Sequence, residues 1–428
     1  MHTKITGSLV LATCVLAGIV LWGLGVSSIR HLVADLLAIY FVLWALYAFL
    51  SGRKQSELRT SFCVTSFTLA ICLGALEAPA FFGALDYRRV FSTSMNPVYQ
   101  RGNVFDGELL WRRQPHFQLN MTSIYDGMIG QYICLPSIAP VSYNLRYDQH
   151  GFRNDQDLET ADIAVIGDSF VEGVGIESSG ILTTVLQSLE GRTVVNLGSS
   201  GYGPQQELVV LKRYATKFHP KTIVWMFYEG NDLKDVRAYE QGLAGLHEEL
   251  RYSERAFITN ALMTVMRLWR GCVPDEHLKK RYGKIVDKEG RQRKIYFPED
   301  TRPLHGDRLA ALQTASSVLA AAYQYSREEG IRLVLVFAPE HYRVYSGLST
   351  LVEVSDEVKW WSVNDFPERL RTVVKSISPD FEYFDLTPTL RMEAAKGTSL
   401  YISNDTHWTA EGHKIVAEAL HKALARKL

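Results

Sequence analysis

From Ala161 onward the chain alternates short, strongly apolar runs with stretches whose apolar residues recur at helical spacing, and few folds accommodate that rhythm. The short runs are Ile163–Ile166, Thr193–Leu197, Thr222–Phe227, Arg332–Phe337 and Glu382–Leu386. Between them Gly180–Leu189, Gln205–Phe218, Arg308–Glu328 and Asp365–Ser376 carry helical patterns, and Ala410–Lys427 closes the chain as a last helix. Strands rich in Val and Ile and separated by helices are covered on both faces, so the expectation is an α/β fold around a parallel sheet.

Two segments break the rhythm. Residues 86–160 are polar and aromatic, with turn signals such as Gln149-His-Gly-Phe-Arg-Asn154, and read as a connector plus an accessory layer. Residues 234–306 read as an insertion in the domain 161–428, with a hairpin around Glu289-Gly290.

The first 85 residues have a different character. Ile5–Ser28 carries no charge, and a run of that length crosses a hydrocarbon core of about 30 Å. Leu32–Leu50, with Asp35, and Thr60 to Phe82, with Glu77 and Pro79, are similar. Residues 1–85 are therefore expected to form three transmembrane helices. A cleaved leader is disfavoured because no small-x-small site precedes Arg30. The loop holding Arg53, Lys54 and Arg59 belongs in the cytoplasm by the positive-inside rule; Lys4 agrees, and Arg30 and His31 vote against. The expectation is a multi-pass membrane protein whose part after residue 86 is extracytoplasmic, periplasmic or extracellular.

Charge and cysteine content narrow the function class. Lys+Arg and Asp+Glu balance at 46 each, so no basic footprint argues for nucleic acid. Cys134 and Cys272 fall in the exported part and could pair in an oxidising compartment, whereas Cys14, Cys63 and Cys72 read as packing residues in the spans. No Cys-x-x-Cys or His-rich spacing suggests a metal, and no cofactor is expected.

The chemistry-bearing residues cluster at strand ends. The first strand runs into Gly167-Asp168-Ser169, the second into Asn196-Leu-Gly198-Ser-Ser-Gly201-Tyr-Gly203, the third into Tyr228-Glu-Gly230-Asn231-Asp232. In a parallel sheet all three loops open on one rim, where ligands bind. Asp405-Thr406-His407 lies just before the last helix. A serine hydroxyl needs a base to become a nucleophile, and His407 suits that role near neutral pH. Asp405 could hold the imidazole in one tautomer. The amides of Ser169 and Gly201 and the side chain of Asn231 could donate to an oxyanion.

These blocks resemble those of the SGNH/GDSL hydrolases: Gly-Asp-Ser, Asn-x-Gly-x-x-Gly, Gly-Asn-Asp and a late carboxylate–His motif, in that order over roughly 161–428. The resemblance implies a flavodoxin-like α/β/α sandwich with Ser169 as nucleophile, Gly201 and Asn231 in the oxyanion hole, and His407 as base. The family usually places its acid three residues before the His, which is Asn404 here; Asp405 sits two before. The Asp-x-His-Trp form resembles that of proteins that O-acetylate alginate and similar exopolysaccharides, where it precedes the serine block. Asp405 is the expected acid and Asn404 its rival.

Other residues read more plainly. Asp168 suits a loop brace or a cap, Asp385 a brace for the loop carrying His407, and His413 a solvent-facing or packing role. His341 and Arg343, at the end of the fourth strand, are candidate contacts to a sugar or acyl substrate. The expected activity is serine-dependent acyl ester hydrolysis (esterase or deacetylase) on an extracytoplasmic acylated carbohydrate or lipid. The alternatives are O-acyl transfer onto a cell-envelope or exported polysaccharide, with a polytopic membrane protein as partner, and a non-catalytic carbohydrate-binding or assembly module.

Overall fold

The computed structural model describes residues 55–91, 102–122, 127–137, 142–245, 252–272, 275, 280–298, 301, 304–352 and 358–425. The chain divides into two compact units, one of residues 1–101 and 249–271, the other of 102–248 and 272–428. Residues 249–271 of the expected insertion thus group with the N-terminal unit.

In the N-terminal unit the helix Gln55–Phe81 covers the third expected span. Among the described residues no helix is long and apolar enough to cross a membrane, which overturns the expected three-span region. Within Thr60–Phe82, Glu77, Pro79 and a succession of Ser and Thr interrupt the apolar residues. Glu77 is used locally. Its carboxylate accepts the Phe257 and Ile258 amides at 3.0 and 2.8 Å, at the start of the helix Phe257–Arg270, where exposed N–H groups favour an anion. The other two stretches, Ile5–Ser28 and Leu32–Leu50, lie outside the described residues.

The second unit begins with two antiparallel hairpins. β1 (Asn103–Asp106) pairs with β2 (Leu110–Arg113), and β3 (Gln118–Thr122) with β4 (Ser142–Arg146). The chain then enters the main sheet through β5 (Ile163–Gly167), β6 (Val194–Gly198) and β7 (Thr222–Tyr228). It leaves to form the hairpin of β8 (Tyr282–Val286) and β9 (Gln292–Tyr296), and returns as β10 (Arg332–Ala338). It adds β11 (Thr350–Val352) to that hairpin and finishes the sheet with β12 (Glu382–Asp385). All four neighbour pairs of the main sheet are parallel, in the order β6-β5-β7-β10-β12. Each strand lies within one residue of its expected bounds at either end.

Alternation of side chains across the sheet builds two cores. Ile163, Val165, Val224, Met226, Val334 and Val336 share one cluster with Leu182, Leu186, Val416 and Leu420. The opposite face presents Trp225, Phe227 and Phe337; Trp225 donates to Glu207 at 2.6 Å and both phenylalanines meet Phe366 edge to face. Helices therefore cover both faces, and the continuous apolar runs follow from that double burial. Burying each Val or Ile contributes roughly 1.5–3 kcal/mol. The chain reverses direction across the sheet between β5 and β7, where an open sheet of this order places its crevice. The loops after β5 and β7 carry Ser169 and Asn231.

Candidate active site

β5 ends at Gly167, and the chain turns at once into α1 (Ser169–Glu172). Asp168 caps that turn, its Oδ1 accepting the Phe170 amide at 2.9 Å, so this carboxylate holds local geometry. Burial raises its pKa, against the pull of the Phe170 amide, His407 and the Asn231 side chain. At the head of the turn, the Ser169 hydroxyl lies 2.8 Å from His407 Nε2. Across the ring, His407 Nδ1 lies 2.6 Å from Asp405 Oδ1. Ser169, His407 and Asp405 thus form an unbroken relay, 238 positions of chain separating the serine from the histidine.

Asp405 is itself held. Its Oδ2 accepts the Met128 amide at 2.7 Å, and its Oδ1 accepts the amides of Thr406 and His407 at 2.7 and 3.2 Å. Burial alone would raise its pKa; His407 and the hydrogen bonds from the His407 ring and the Met128 and His407 amides bring it down to about 2. Burial would likewise lower the His407 pKa, but the charge and hydrogen bond of Asp405, with Asp168 and Glu172 beyond, raise it above the usual 6.5. Asn404 serves elsewhere: its Oδ1 accepts the Tyr282 hydroxyl at 2.8 Å and its backbone oxygen accepts the Ile129 amide at 2.9 Å. The side chain facing His407 is therefore Asp405.

The segment 127–129 that grips this loop comes from the accessory layer. Gly127 has φ +75°, and a Cβ there would sit 2.4 Å from the Asn404 oxygen, so the close approach requires glycine. The Cys134–Cys272 disulfide fastens the same segment, and β9 adds a bond from the Tyr296 amide to the Ser403 oxygen at 2.9 Å.

The second strand-end loop lies against the nucleophile turn. Gly167 and Gly198 are level in the sheet, and the Ser199 amide donates back to the Gly167 oxygen at 3.0 Å. Gly198 leaves no room for a side chain, since a Cβ would meet the Glu172 amide nitrogen at 2.4 Å. Among the described residues no acceptor takes the amide hydrogens of Ser169 or Gly201. Asn231 opens the turn into the helix Asp232–Gly245, and its Oδ1 has no hydrogen-bond partner.

The expected substrate contacts His341 and Arg343 are corrected. His341 is fully buried, its ring packed at a tilt against Tyr401 at 4.0 Å between centroids, and burial takes its pKa down to about 3. Arg343 is also buried, and its guanidinium meets both carboxylate oxygens of Glu229 at 2.8 and 2.6 Å. Neither side chain faces solvent. His413 packs in the core and its Nδ1 accepts the Leu182 amide at 3.2 Å. Asp385 accepts the Thr387 amide at 2.8 Å at the start of the next helix instead of bracing the His407 loop.

Sequence reasoning missed the second layer. Arg153, fully buried, donates to the backbone oxygens of Glu172, Gly173 and Ile176 and so holds the end of α1. Asn154 donates to the Asn196 oxygen at 2.9 Å and accepts its amide at 3.0 Å. The turn Gln149–Asn154 was the one available signal. Among the described residues no cluster of His, Cys, Asp and Glu could hold a metal ion.

Comparison with known proteins adds three findings. A model of the GDSL-like lipase/acylhydrolase family matches residues 163–420, more than half of the chain. A protein of Pseudomonas fluorescens named "Probable alginate O-acetylase AlgJ" is 29% identical over 143 residues, 32% of this chain; the chain spans about a third (33%) of that relative's length. Among solved structures, a catalytic mutant of Axe2, an acetylxylan esterase from Geobacillus stearothermophilus, superposes with TM-score 0.33 and 13% identity, over 62% of this chain and 94% of its own. A GDSL-like lipase from Bacteroides thetaiotaomicron VPI-5482 gives TM-score 0.32 and 11% identity, over 62% and 88%.

Proposed function

The chain belongs to the GDSL-like lipase/acylhydrolase family and is an SGNH-type esterase or O-acyltransferase; we propose that it cleaves acyl esters of a carbohydrate through an acyl-enzyme on Ser169. The observation that carries this reading is the continuous contact from Ser169 Oγ through His407 to Asp405. His407 Nε2 takes the hydroxyl proton as Ser169 attacks the ester carbonyl, and returns it to the departing alcohol. Asp405 stabilises the imidazolium that forms in between. The Ser169 and Gly201 amides and Asn231 receive the oxyanion charge, where losing one donor typically costs about 3–4 kcal/mol of barrier.

Water as acceptor completes hydrolysis, and a sugar hydroxyl completes O-acyl transfer. The likeness to the alginate O-acetylase of P. fluorescens favours this second reading of the deacylation step. A complete relay speaks against a non-catalytic module. An extracytoplasmic site of action is supported by the Cys134–Cys272 disulfide, a bond that persists in oxidising compartments.

Hydrolysis of an aryl acetate tests the chemistry: the protein should release the phenol and Ser169→Ala should not. Equal rates would overturn the assignment. Incubation with an acetyl donor and an oligosaccharide, followed by mass spectrometry of the sugar, separates the two acceptors. Acetyl on the sugar marks transfer, and free acetate alone marks hydrolysis.

A further inference from the structure

The loop Ser199–Gly203 spends every backbone donor except one. The Ser199 amide goes to the Gly167 oxygen, Ser200 to Glu172 Oε2 at 2.6 Å, Tyr202 to the Ser199 oxygen at 3.1 Å, and Gly203 to Gln206 Oε1 at 3.2 Å. Gly201 is left, flanked on each side by a pinned residue. Tyr202 is held from the far side, its hydroxyl donating to the Trp111 oxygen at 2.6 Å and its ring packing on Trp111.

The near side is held by Glu172, the last residue of α1, whose side chain is almost wholly buried. Besides the Ser200 amide, its carboxylate accepts the Ser200 hydroxyl and the Tyr147 hydroxyl. Arg113 stands 3.8 Å away, its guanidinium lying over the Tyr147 ring and donating to Asn103 at 2.7 Å. A buried carboxylate is costly unless paired and hydrogen-bonded. Here the partners Arg113 and Tyr147 come from β2 and the residue directly after β4, outside the α/β fold.

We propose that Glu172 is a positioning residue: it fixes the Ser200 peptide so that the neighbouring Gly201 amide is presented to the oxyanion, and Arg113 and Tyr147 of the accessory layer hold Glu172 for that task. This rests on the acyl-transfer reading above. A preorganised donor acts on the charge that develops in the transition state and little on the bound ester. The loss on removing Glu172 therefore falls on kcat.

The test compares wild type with Glu172→Ala, Glu172→Gln and Tyr147→Phe on an aryl acetate. A fluorophosphonate counts active sites, and an arylboronic acid mimics the tetrahedral state. Per titrated site, Glu172→Ala should lose about a hundredfold in kcat, within the range for one oxyanion donor, with KM within about twofold. Glu172→Gln should recover part of that loss because it keeps an acceptor for the Ser200 amide. Boronate affinity should weaken by the same factor as kcat/KM. Tyr147→Phe, a milder change that leaves Glu172 in place, should lose a few-fold in both. If kcat per titrated site and boronate affinity stay at wild-type values in Glu172→Ala, or in Tyr147→Phe where the first variant does not fold, the positioning role is overturned. A wild type that neither turns over the ester nor reacts with the fluorophosphonate overturns the acyl-transfer reading, and the positioning role with it.

Discussion

His407 takes its role from contacts at both ring nitrogens, 2.6 Å to Asp405 and 2.8 Å to Ser169. Replacing Asp405 by Asn keeps the volume but removes the charge and turns one of its two acceptor oxygens into a donor, so the imidazole tautomer is no longer selected. Asp405→Asn should lower kcat by about 10³–10⁴-fold, measured on an aryl ester, whereas Asn404→Ala should cost far less because that side chain bonds Tyr282. The pH profile follows from the same pair. His407 must be neutral to act as base, and its pKa is raised above 6.5, so kcat/KM should climb with pH and level off only above that value. Loss of the Asp405 charge should move the acid limb to lower pH. A limb left in place by Asp405→Asn would show that another group titrates.

At the scale of elements, the acid loop is built by segments outside the α/β rhythm. Met128 and Ile129 donate to it from one side, and Tyr282 and Tyr296 of the β8–β9 hairpin from the other. The disulfide ties residue 134 of the first segment to residue 272. Reduction, or Cys134→Ser with Cys272→Ser, should cost about 2–4 kcal/mol of stability in denaturant titrations. It should also lower kcat, since misplacing a catalytic group by ~1 Å costs about a hundredfold. An unchanged kcat in the double variant would mean that the segment keeps its place unaided. The contact of Gly198 with α1 is equally local. Gly198→Ala should destabilise by about 1–3 kcal/mol, as overpacking does, and displace Ser169 with it.

Across the whole molecule, the sheet and the site differ in how far the sequence made them legible. The strands β5, β6, β7 and β10 could be read because their runs are rich in Val, Ile and other apolar residues buried on both faces, broken internally only by Asn196. Ser169 and His407, which the fold brings within hydrogen-bonding distance, could be read because the serine follows a strand-end glycine and the imidazole stands beside a carboxylate. Glu172 and Arg113 could not, since their pairing joins segments distant in sequence and only tertiary structure brings them together. His341 and Arg343 misled for the converse reason: polar residues at a strand end read as surface, while here Tyr401 and Glu229 bury them. The helix Gln55–Phe81 misled through its apolar residues, although its charged and hydroxylated positions fall short of a span. Asp168, Glu207 and Asp232 are all buried; burial raises the pKa of each, and repulsion from neighbouring carboxylates adds to it at Glu207 and Asp232. Raised carboxyl pKa values favour the folded state at low pH, so that contribution is lost as pH climbs from about 4 toward the folded-state values. Glu207→Gln should therefore be more favourable to stability at pH 8 than at pH 5, by comparison of melting temperatures; the opposite order would show Glu207 ionised and well compensated.

The central claim, an acyl-enzyme on Ser169, is tested most directly by acid-quenching the protein during turnover of an aryl acetate and mapping its peptides by mass spectrometry. One acetyl group should appear on the peptide containing Ser169, and none on that peptide in Ser169→Ala. Steady turnover with Ser169 unmodified, or acetyl at another residue that survives in Ser169→Ala, would contradict the claim.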